Sequence, residues 1–156
     1  MFAHDCFLEQ YELLALQVQA LRRKHPNSWM KMIKAKRLAA IVNLVSVETV
    51  QDPTREVYRQ GKTLGEENKH WLRAKFYQQY RLFFRYRLEG KIIIYGWVND
   101  PSTKRAYGSK SDAYKVFKKM LRSGRIPDDW DQLLSAAKAE NDRFERLMDS
   151  PPLEDL

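Results

Sequence analysis

The sequence has a single cysteine, Cys6, and cannot close an internal disulfide. That excludes a small secreted scaffold stapled by disulfides and fits a reducing compartment. Long apolar runs are missing. The longest, Ile92 to Val98, spans 7 residues, far short of the about 20 that a membrane helix needs. The opening residues do not read as a signal peptide, because no basic stretch leads into an apolar one. Histidine is scarce: His4, His25 and His70 lie far apart, and no Cys/His cluster has the spacing of zinc ligands. His70 precedes a basic strand and reads best as a solvated loop histidine. Acids are sparse in the middle of the chain, with 6 between residues 55 and 125. A nuclease that works with two metals needs several clustered carboxylates, so that mechanism is disfavoured. Gly61-Lys62-Thr63 lacks the glycine that a phosphate-binding loop places five residues earlier; Glu56 stands there. There is no internal repeat and no low-complexity tract.

What is present is positive charge, unevenly spread. The 156 residues carry a net charge of +8 and are 44% hydrophobic, which suits one folded domain. Residues 1–54 are net +2, residues 55–125 net +12 and residues 126–156 net −6. A concentrated basic segment followed by an acidic one points to an electrostatic binding surface and a polyanionic partner.

Periodicity gives the elements. Asp5 is a candidate N-cap, and Phe7, Tyr11, Leu14, Val18 and Leu21 follow at helical spacing. His25-Pro26-Asn27 ends that helix. Asn27 or Ser28 then caps a second, with Met30, Ile33, Leu38, Ile41 and Val45 as its stripe, and the short connection implies an antiparallel helical hairpin. Val47 to Val50 is β-branched and could fray into a strand before Asp52-Pro53 stops the element. Arg55 to His70 reads as a loop with a helical turn. From Trp71 the period becomes two. Leu72, Ala74 and Phe76 alternate with Arg73, Lys75 and Tyr77; Leu82, Phe84 and Tyr86 alternate with Arg81, Phe83 and Arg85. Ile92 to Val98 is apolar on both faces, as in a central strand. The reading is a three-stranded antiparallel meander. One face covers the hairpin and the other carries Arg73, Lys75, Arg81 and Arg85 into solvent. Ser111 caps a helix through Tyr114, Phe117 and Leu121, ended by Gly124. Asp128 or Asp129 caps one last helix with Trp130, Leu133, Leu134, Ala137, Phe144 and Leu147 on one side. Ser150-Pro151-Pro152 reads as a disordered tail. The class is α+β.

Cations among Tyr77, Phe83, Trp97, Tyr107 and Tyr114 make a reasonable single-stranded nucleic-acid site, with phosphates on the cations and bases on the rings. An ordinary solvated sheet face has the same signature. Without a metal, only RNA can be cut by its own 2′-hydroxyl, with Arg and Lys stabilising the transition state and side chains handling two protons. Tyr107, Tyr114, Lys75 and Lys104 are candidates for that, although Tyr114 sits on an apolar helical stripe, where core is the commoner role.

G-K-T-L-G through W-L-R-A-K-F (Gly61 to Phe76), Y-R-L-F-F-R-Y (Tyr80 to Tyr86), W-V-N-D-P-S-T-K-R-A-Y-G (Trp97 to Gly108) and S-D-A-Y-K-V-F-K-K-M-L (Ser111 to Leu121) resemble the YhaV toxins, a branch of the RelE superfamily of bacterial toxin–antitoxin ribonucleases. The resemblance spans about residues 3–130, where it implies a toxin domain, with 131–156 an acidic helix and tail. It implies a RelE-like fold, a helical hairpin packed on a twisted antiparallel sheet with C-terminal helices, and an active site on the opposite, concave face. Family members usually start with a strand, of which only Met1 to His4 remain here. It implies messenger RNA cleavage, on or off the ribosome, without metal or cofactor, leaving a 2′,3′-cyclic phosphate and a 5′-hydroxyl. It implies a cytoplasmic protein with a PrlF-like antitoxin of the swapped-hairpin DNA-binding type, through which it reaches operator DNA, and no membrane partner. Residue by residue, Arg73 and Lys75 match the basic pair of the first long strand. Arg81 matches the arginine on the scissile phosphate, at a site where Arg81→Ala would leave the fold intact. Lys104 or Arg105 matches the later arginine, and Tyr107 or Tyr114 the C-terminal tyrosine. Arg85, which has no superfamily counterpart, joins Trp97, Asn99 and Lys110 as candidate RNA contacts. Two alternatives are a non-catalytic relative, like the ParE toxins that bind gyrase but lack the basic and tyrosine cluster, and a plain nucleic-acid-binding regulator. The acidic tail either folds over the basic face or docks through Trp130 and Leu134 with its acids in solvent.

Overall fold

In the computed structural model, which describes residues 1–149, a two-residue strand β1 (Phe2–Ala3) leads directly into the helix α1 (Asp5–Lys24). His4, not Asp5, is the N-cap: its Nδ1 accepts from the Cys6 amide at 3.1 Å, and its own N–H donates to the Tyr95 carbonyl at 2.8 Å. Arg22, Arg23 and Lys24 end the helix, where cations complement its dipole. The expected cap at Asn27 or Ser28 gives way to a 3₁₀ turn, Trp29–Lys31, and α2 (Ile33–Asn43) starts only at Ile33. Met30 and Ile33 of the expected stripe are exposed, whereas Leu38, Ile41 and Val45 are buried as expected, joined by Trp29 and Ala35.

The β-branched stretch is not a strand. The helix widens into a π-helical turn, Leu44–Glu48, and closes as α3 (Thr49–Gln51). Thr49 Oγ1 donates to the Leu44 carbonyl at 2.7 Å. Tyr95, reaching across from the sheet, donates to the Val45 carbonyl at 3.1 Å and lies 2.7 Å from the Thr49 hydroxyl. Side chains thus take up the carbonyls that a π turn loosens. Residues 55–70 form the expected loop with two 3₁₀ turns, Glu56–Tyr58 and Glu66–Asn68.

The meander follows as β2 (Leu72–Phe76), β3 (Tyr80–Arg87) and β4 (Ile92–Val98). The first hairpin is closed by a three-residue loop, Tyr77 to Gln79, in which Tyr77 and Gln78 take φ of 44° and 60°. The sheet has four strands rather than three, in the order β1-β4-β3-β2, because the short β1 pairs parallel with β4. β4 is therefore internal, as its two-sided apolarity required. Phe83 opposes Trp97 and Phe84 opposes Tyr95, which leaves Gly96 as the extra residue of a bulge. The bulge puts Ile94 and Trp97 on one face despite their odd spacing.

Each face of the sheet is covered. On one, α1 and α2 pack over Ala74, Phe76, Leu82, Phe84 and Tyr95. The other was expected to be basic and solvated. It instead carries a second core of Trp71, Phe83, Ile94 and Trp97 under α4 (Ala113–Ser123) and α5 (Trp130–Ala139). Asp112 rather than Ser111 caps α4, and Gly124 ends it in the left-handed conformation. Asp129 caps α5, accepting from the Gln132 amide at 3.0 Å. The single last helix is two, since α6 (Asn141–Asp149) follows a break at Glu140. Leu133 and Ala137 join the core under α5, whereas Phe144 of α6 joins the core on the hairpin side. The predicted disorder of Ser150-Pro151-Pro152 lies outside the described residues. Among the described residues no helix is long and apolar enough to cross a membrane.

Arg143 of α6 bridges Asp5 at 2.6 Å and also pairs with Glu12. Arg125 adds Glu9 at 3.1 Å and Asp5 at 3.6 Å. The Arg143 hydrogen bond holds the Asp5 carboxyl below the ordinary carboxylate range. A depressed carboxyl contributes stability above its unfolded pKa of about 4 and loses it as pH falls through the lower folded value. Denaturant unfolding from pH 6 to pH 2 is expected to show a stability loss in that window that is smaller in Arg143→Gln; identical pH profiles would refute this. Gly96 gives a second expectation. A Cβ there would sit 2.8 Å from Trp71 Cζ3, and Trp71 is fully buried. Gly96→Ala should cost about 1–3 kcal/mol in equilibrium unfolding.

Candidate nucleic-acid interface

Three elements bring a tyrosine and two arginines together. Arg73 on β2 and Arg81 on β3 lie on the face beneath α4, and the register pairs Arg81 with Lys75. Both guanidiniums donate through Nε to the Tyr114 phenolic oxygen, at 3.0 Å from Arg73 and 3.1 Å from Arg81. Neither arginine is solvated: they are 9% and 6% exposed. Arg73 Nη1 also donates to the Val57 carbonyl at 2.6 Å, and Arg81 Nη1 to the carbonyls of Gln78 and Tyr80 at 2.7 and 2.9 Å. These bonds are what make burying the two charges tolerable. They also correct the expectation that Arg81→Ala would leave the fold untouched. Alanine there removes the guanidinium from the carbonyls of Gln78 and Tyr80 and leaves the Tyr114 oxygen with Arg73 alone.

Asp112 organises the cluster, a role the sequence reading missed. It is 1% exposed. It caps α4 by accepting from the Tyr114 amide at 3.1 Å, and it takes the Ala106 amide and the Arg105 guanidinium, each at 2.7 Å. Arg105 is thereby held between two rings, its guanidinium carbon 4.7 Å from the Tyr114 centroid and 5.0 Å from that of Tyr107. Tyr107 is 94% exposed. The alternatives left open by sequence thus separate by place. Arg105 belongs to the cluster and Lys104 lies exposed beside it; Tyr114 is buried at its centre and Tyr107 stands at its rim.

Tyr114, Arg105 and Tyr107 line one side of an open pocket of about 650 Å³. Lys115 and Lys118 of α4 and the Lys62-Thr63 pair line the rest. The two α4 lysines follow Tyr114 at positions one and four, a helical spacing that could have flagged them. Lys62 carries no such signal. Its loop is fixed from beneath by Gln60, which donates to the Asn68 carbonyl at 3.1 Å and accepts from the Leu64 amide at 2.9 Å.

The remaining predicted residues scatter. Lys75 and Lys110 are exposed outside the pocket lining. Trp97 is 3% exposed and stacked on Phe83 and Phe117, so it is core and not an RNA contact. Asn99 is 2% exposed. Its oxygen accepts from the Arg81 amide at 2.7 Å and its nitrogen donates to the carbonyls of Gln79 and Thr103, so it fastens the backbone behind Arg81. Arg85 lies between the rings of Trp71 and Trp130 and donates to the Asp128 carbonyl at 2.6 Å. Burial lowers its pKa. His70 is not merely solvated; its Nε2 is 2.6 Å from Asp128 Oδ1, which also accepts from Trp71 Nε1 at 2.8 Å. Burial raises the Asp128 carboxyl, but the His70 and Trp71 hydrogen bonds outweigh it and hold it below its ordinary value. Among the described residues no group of three or more His, Cys, Asp and Glu side chains could hold a metal ion.

A pocket with one guanidinium and three lysines on its walls and an exposed ring at its rim can take a phosphodiester and an adjoining base. Comparison with known proteins points the same way. The profile of the YhaV toxin family, described as a toxin with endonuclease activity, of toxin-antitoxin system, matches residues 1–138. The protein named toxin YhaV from Escherichia coli O6:H1 is 44% identical over 135 residues, covering 85% of this chain and 88% of the relative. The ribonuclease toxin YhaV of Escherichia coli strain K12 is 43% identical with the same coverage. No solved structure gives a significant match. The chain belongs to the YhaV family of endonuclease toxins of toxin–antitoxin systems.

Proposed function

We propose that this toxin is an endoribonuclease that cuts messenger RNA in the cytoplasm by attack of a 2′-hydroxyl on the adjacent phosphate, without a metal, leaving a 2′,3′-cyclic phosphate and a 5′-hydroxyl. The observation that carries the reading is the convergence of Arg73 and Arg81 on the Tyr114 oxygen, at the edge of a pocket walled by Arg105 and three lysines. Fixed cations in a partly dry site stabilise the charge that grows on a pentavalent phosphorus more than water does, because they need no reorganisation. Tyr114 keeps the two guanidiniums in place, and its hydroxyl proton is left to donate to a phosphate or departing oxygen. Tyr107 serves as the stacking platform for a neighbouring base. Lys62, Lys115 and Lys118 carry the flanking phosphates. A helical hairpin on one sheet face and the basic cluster on the other support a RelE-like arrangement. The site lies beside α4 at one end of that face rather than on an open concave surface. The antitoxin that the family implies is taken to be PrlF-like, of the swapped-hairpin type, and the complex to bind operator DNA.

The test is incubation of the pure protein with RNA in EDTA, with and without ribosomes, followed by analysis of product ends. Cyclic phosphate ends are expected. Cleavage that appears only with added divalent metal would sink the mechanism. Tyr114→Phe, which removes only the oxygen, and Arg81→Lys, which keeps a cation, are each expected to slow cleavage by about 10²-fold or more. Circular dichroism should show both folded. Full activity in both variants would refute the assignment. Lys115→Gln with Lys118→Gln should weaken RNA binding and flatten the plot of log K against log salt by roughly 0.7 per lysine. An unchanged slope would remove these lysines from the RNA path.

A further inference from the structure

A second pocket lies on the hairpin side of the molecule and shares no lining residue with the first. Its volume is about 310 Å³, and it sits among α1, α2 and the 3₁₀ turn Pro101–Thr103. Arg37 is one of its lining residues and is 5% exposed. Among the described residues this guanidinium makes no ion pair and no hydrogen bond, and its Nε is sealed from solvent without a partner. Its recorded contact is the face of Tyr80, 5.2 Å from the ring centroid. A ring face compensates a desolvated cation less than a carboxylate or phosphate does. A buried and uncompensated charge is costly wherever it occurs. Arg73 and Arg81 show how this fold treats a buried guanidinium that it satisfies internally; Arg37 is not treated that way.

The rest of the pocket defines what would satisfy it. Lys34 stands exposed in the lining and adds a second positive charge. Gln10 and Gln17 of α1 bring side-chain amides, and Leu13, Leu14 and Pro101 bring apolar surface. Asp100 also lines the pocket, but its carboxylate is occupied: it accepts from Gln10 Nε2 at 3.2 Å, from the Ser102 amide at 2.9 Å and from the Ser102 and Thr103 hydroxyls. Burial would raise its pKa, and the bonds from Ser102, Gln10 and Thr103 more than reverse that, so Asp100 remains an anion. Two cations facing one fixed anion favour a ligand with one negative charge over a dianion.

We propose that this pocket binds a carboxylate borne on an apolar group, with Arg37 pairing with the carboxylate, Lys34 at the entrance and Leu13 and Leu14 against the apolar part. The carboxylate comes either from a free small acid or from an acidic side chain flanked by apolar residues on a bound peptide. The first source is probed with hexanoate and the second with the capped peptide acetyl-Leu-Asp-Leu-amide; hexanol controls for apolar binding alone. The full-length protein is titrated while the Arg37 Nε–Hε signal is followed by NMR and the melting temperature is recorded. Either carboxylate should move that signal and raise the melting temperature with concentration, and hexanol should do neither. Arg37→Leu should fold at least as stably as the parent without ligand, since it removes the uncompensated charge, and should lose the response to carboxylate. Lys34→Gln, at an exposed position, should weaken binding by about tenfold or less, the range of a screened charge. Tighter binding of the peptide assigns the carboxylate to a partner chain, and tighter binding of hexanoate assigns it to a small molecule. The proposal is overturned if neither probe binds, if hexanol matches hexanoate, or if Arg37→Leu responds like the parent. It does not depend on RNA cleavage, so its failure and failure of the ribonuclease reading are separable.

Discussion

Phe117 lies nearly parallel to Phe83 with ring centroids 4.2 Å apart, and Trp97 continues the stack at 6.1 Å. This contact between α4 and the sheet decides where the helix sits. Tyr114 is three residues earlier on the same helical face, so docking Phe117 over Phe83 also places the Tyr114 ring edge-on to Phe83 at 5.5 Å. From there its oxygen meets Arg73, which pairs with Phe83 across the strands, and Arg81, two residues before it. The apolar stack and the polar cluster are one construction. The first holds the second to the tolerance that directed hydrogen bonds require. Gly96 belongs to the same construction, because only a residue without Cβ lets Trp71 close the floor of that core.

Rigid placement of positive charge has a structural cost, and the molecule meets it with backbone. The carbonyls of Val57, Gln78 and Tyr80 each accept from a guanidinium of the pair. Val57 and Gln78 lie in connecting segments, and Tyr80 is the first residue of β3, paired with Phe76. Asn99 occupies the amide of Arg81 and ties it to Gln79 and Thr103. The N-D of the Trp97-Val98-Asn99-Asp100 stretch is therefore a clamp on the loop geometry behind the arginines. Such a cluster is preorganised before any phosphate arrives.

This also explains what the sequence could and could not reveal. Period-two alternation identified β2, β3 and their faces, and helical spacing identified α1 and α4. Alternation says which residues share a face, but not what covers it. Phe83 and Trp97 among arginines match the pattern of a base-stacking surface and equally that of a core with a basic rim. The feature that decides between them is α4, whose amphipathic face was legible but whose docking partner was not. The cap that Asp112 gives the Tyr114 amide is local, but its bonds to the Ala106 amide and Arg105, like those of Asn99 to Gln79 and Arg81, depend on how the chain folds back, so spacing did not expose them. Lys62 reaches the pocket because Gln60 and Asn68 brace its loop from within, and no local periodicity encodes that. The misplaced helix starts, at Asp5, Asn27 or Ser28, and Ser111, are errors in the choice of capping residue that left the elements themselves intact, though the second assigned Met30 and Ile33 to a core from which they are excluded.

The charge distribution takes on a different meaning once the cations are placed. The surplus of the central segment, +12 over residues 55–125, does not all face solvent. Arg73 and Arg81 are enclosed, Arg85 is wedged between tryptophans, and Arg105 is paired with Asp112. The charge available to a polyanion comes largely from lysines, of which Lys62, Lys115 and Lys118 share the pocket with Arg105. This division follows from chemistry. Arginine tolerates burial because its planar fork can satisfy several acceptors at once, whereas lysine is a hydrated point charge suited to an exposed wall. The acidic C-terminal segment, up to the last described residue, does not mask that wall. Phe144 anchors α6 on the hairpin side of the sheet, and Arg143 pairs there with Asp5 and Glu12 of α1. The acids of α6 are thus held on the opposite face of the sheet from the Tyr114 cluster. A polyanion approaching this protein therefore finds Lys62, Lys115 and Lys118 in the pocket lining without the α6 acids over them.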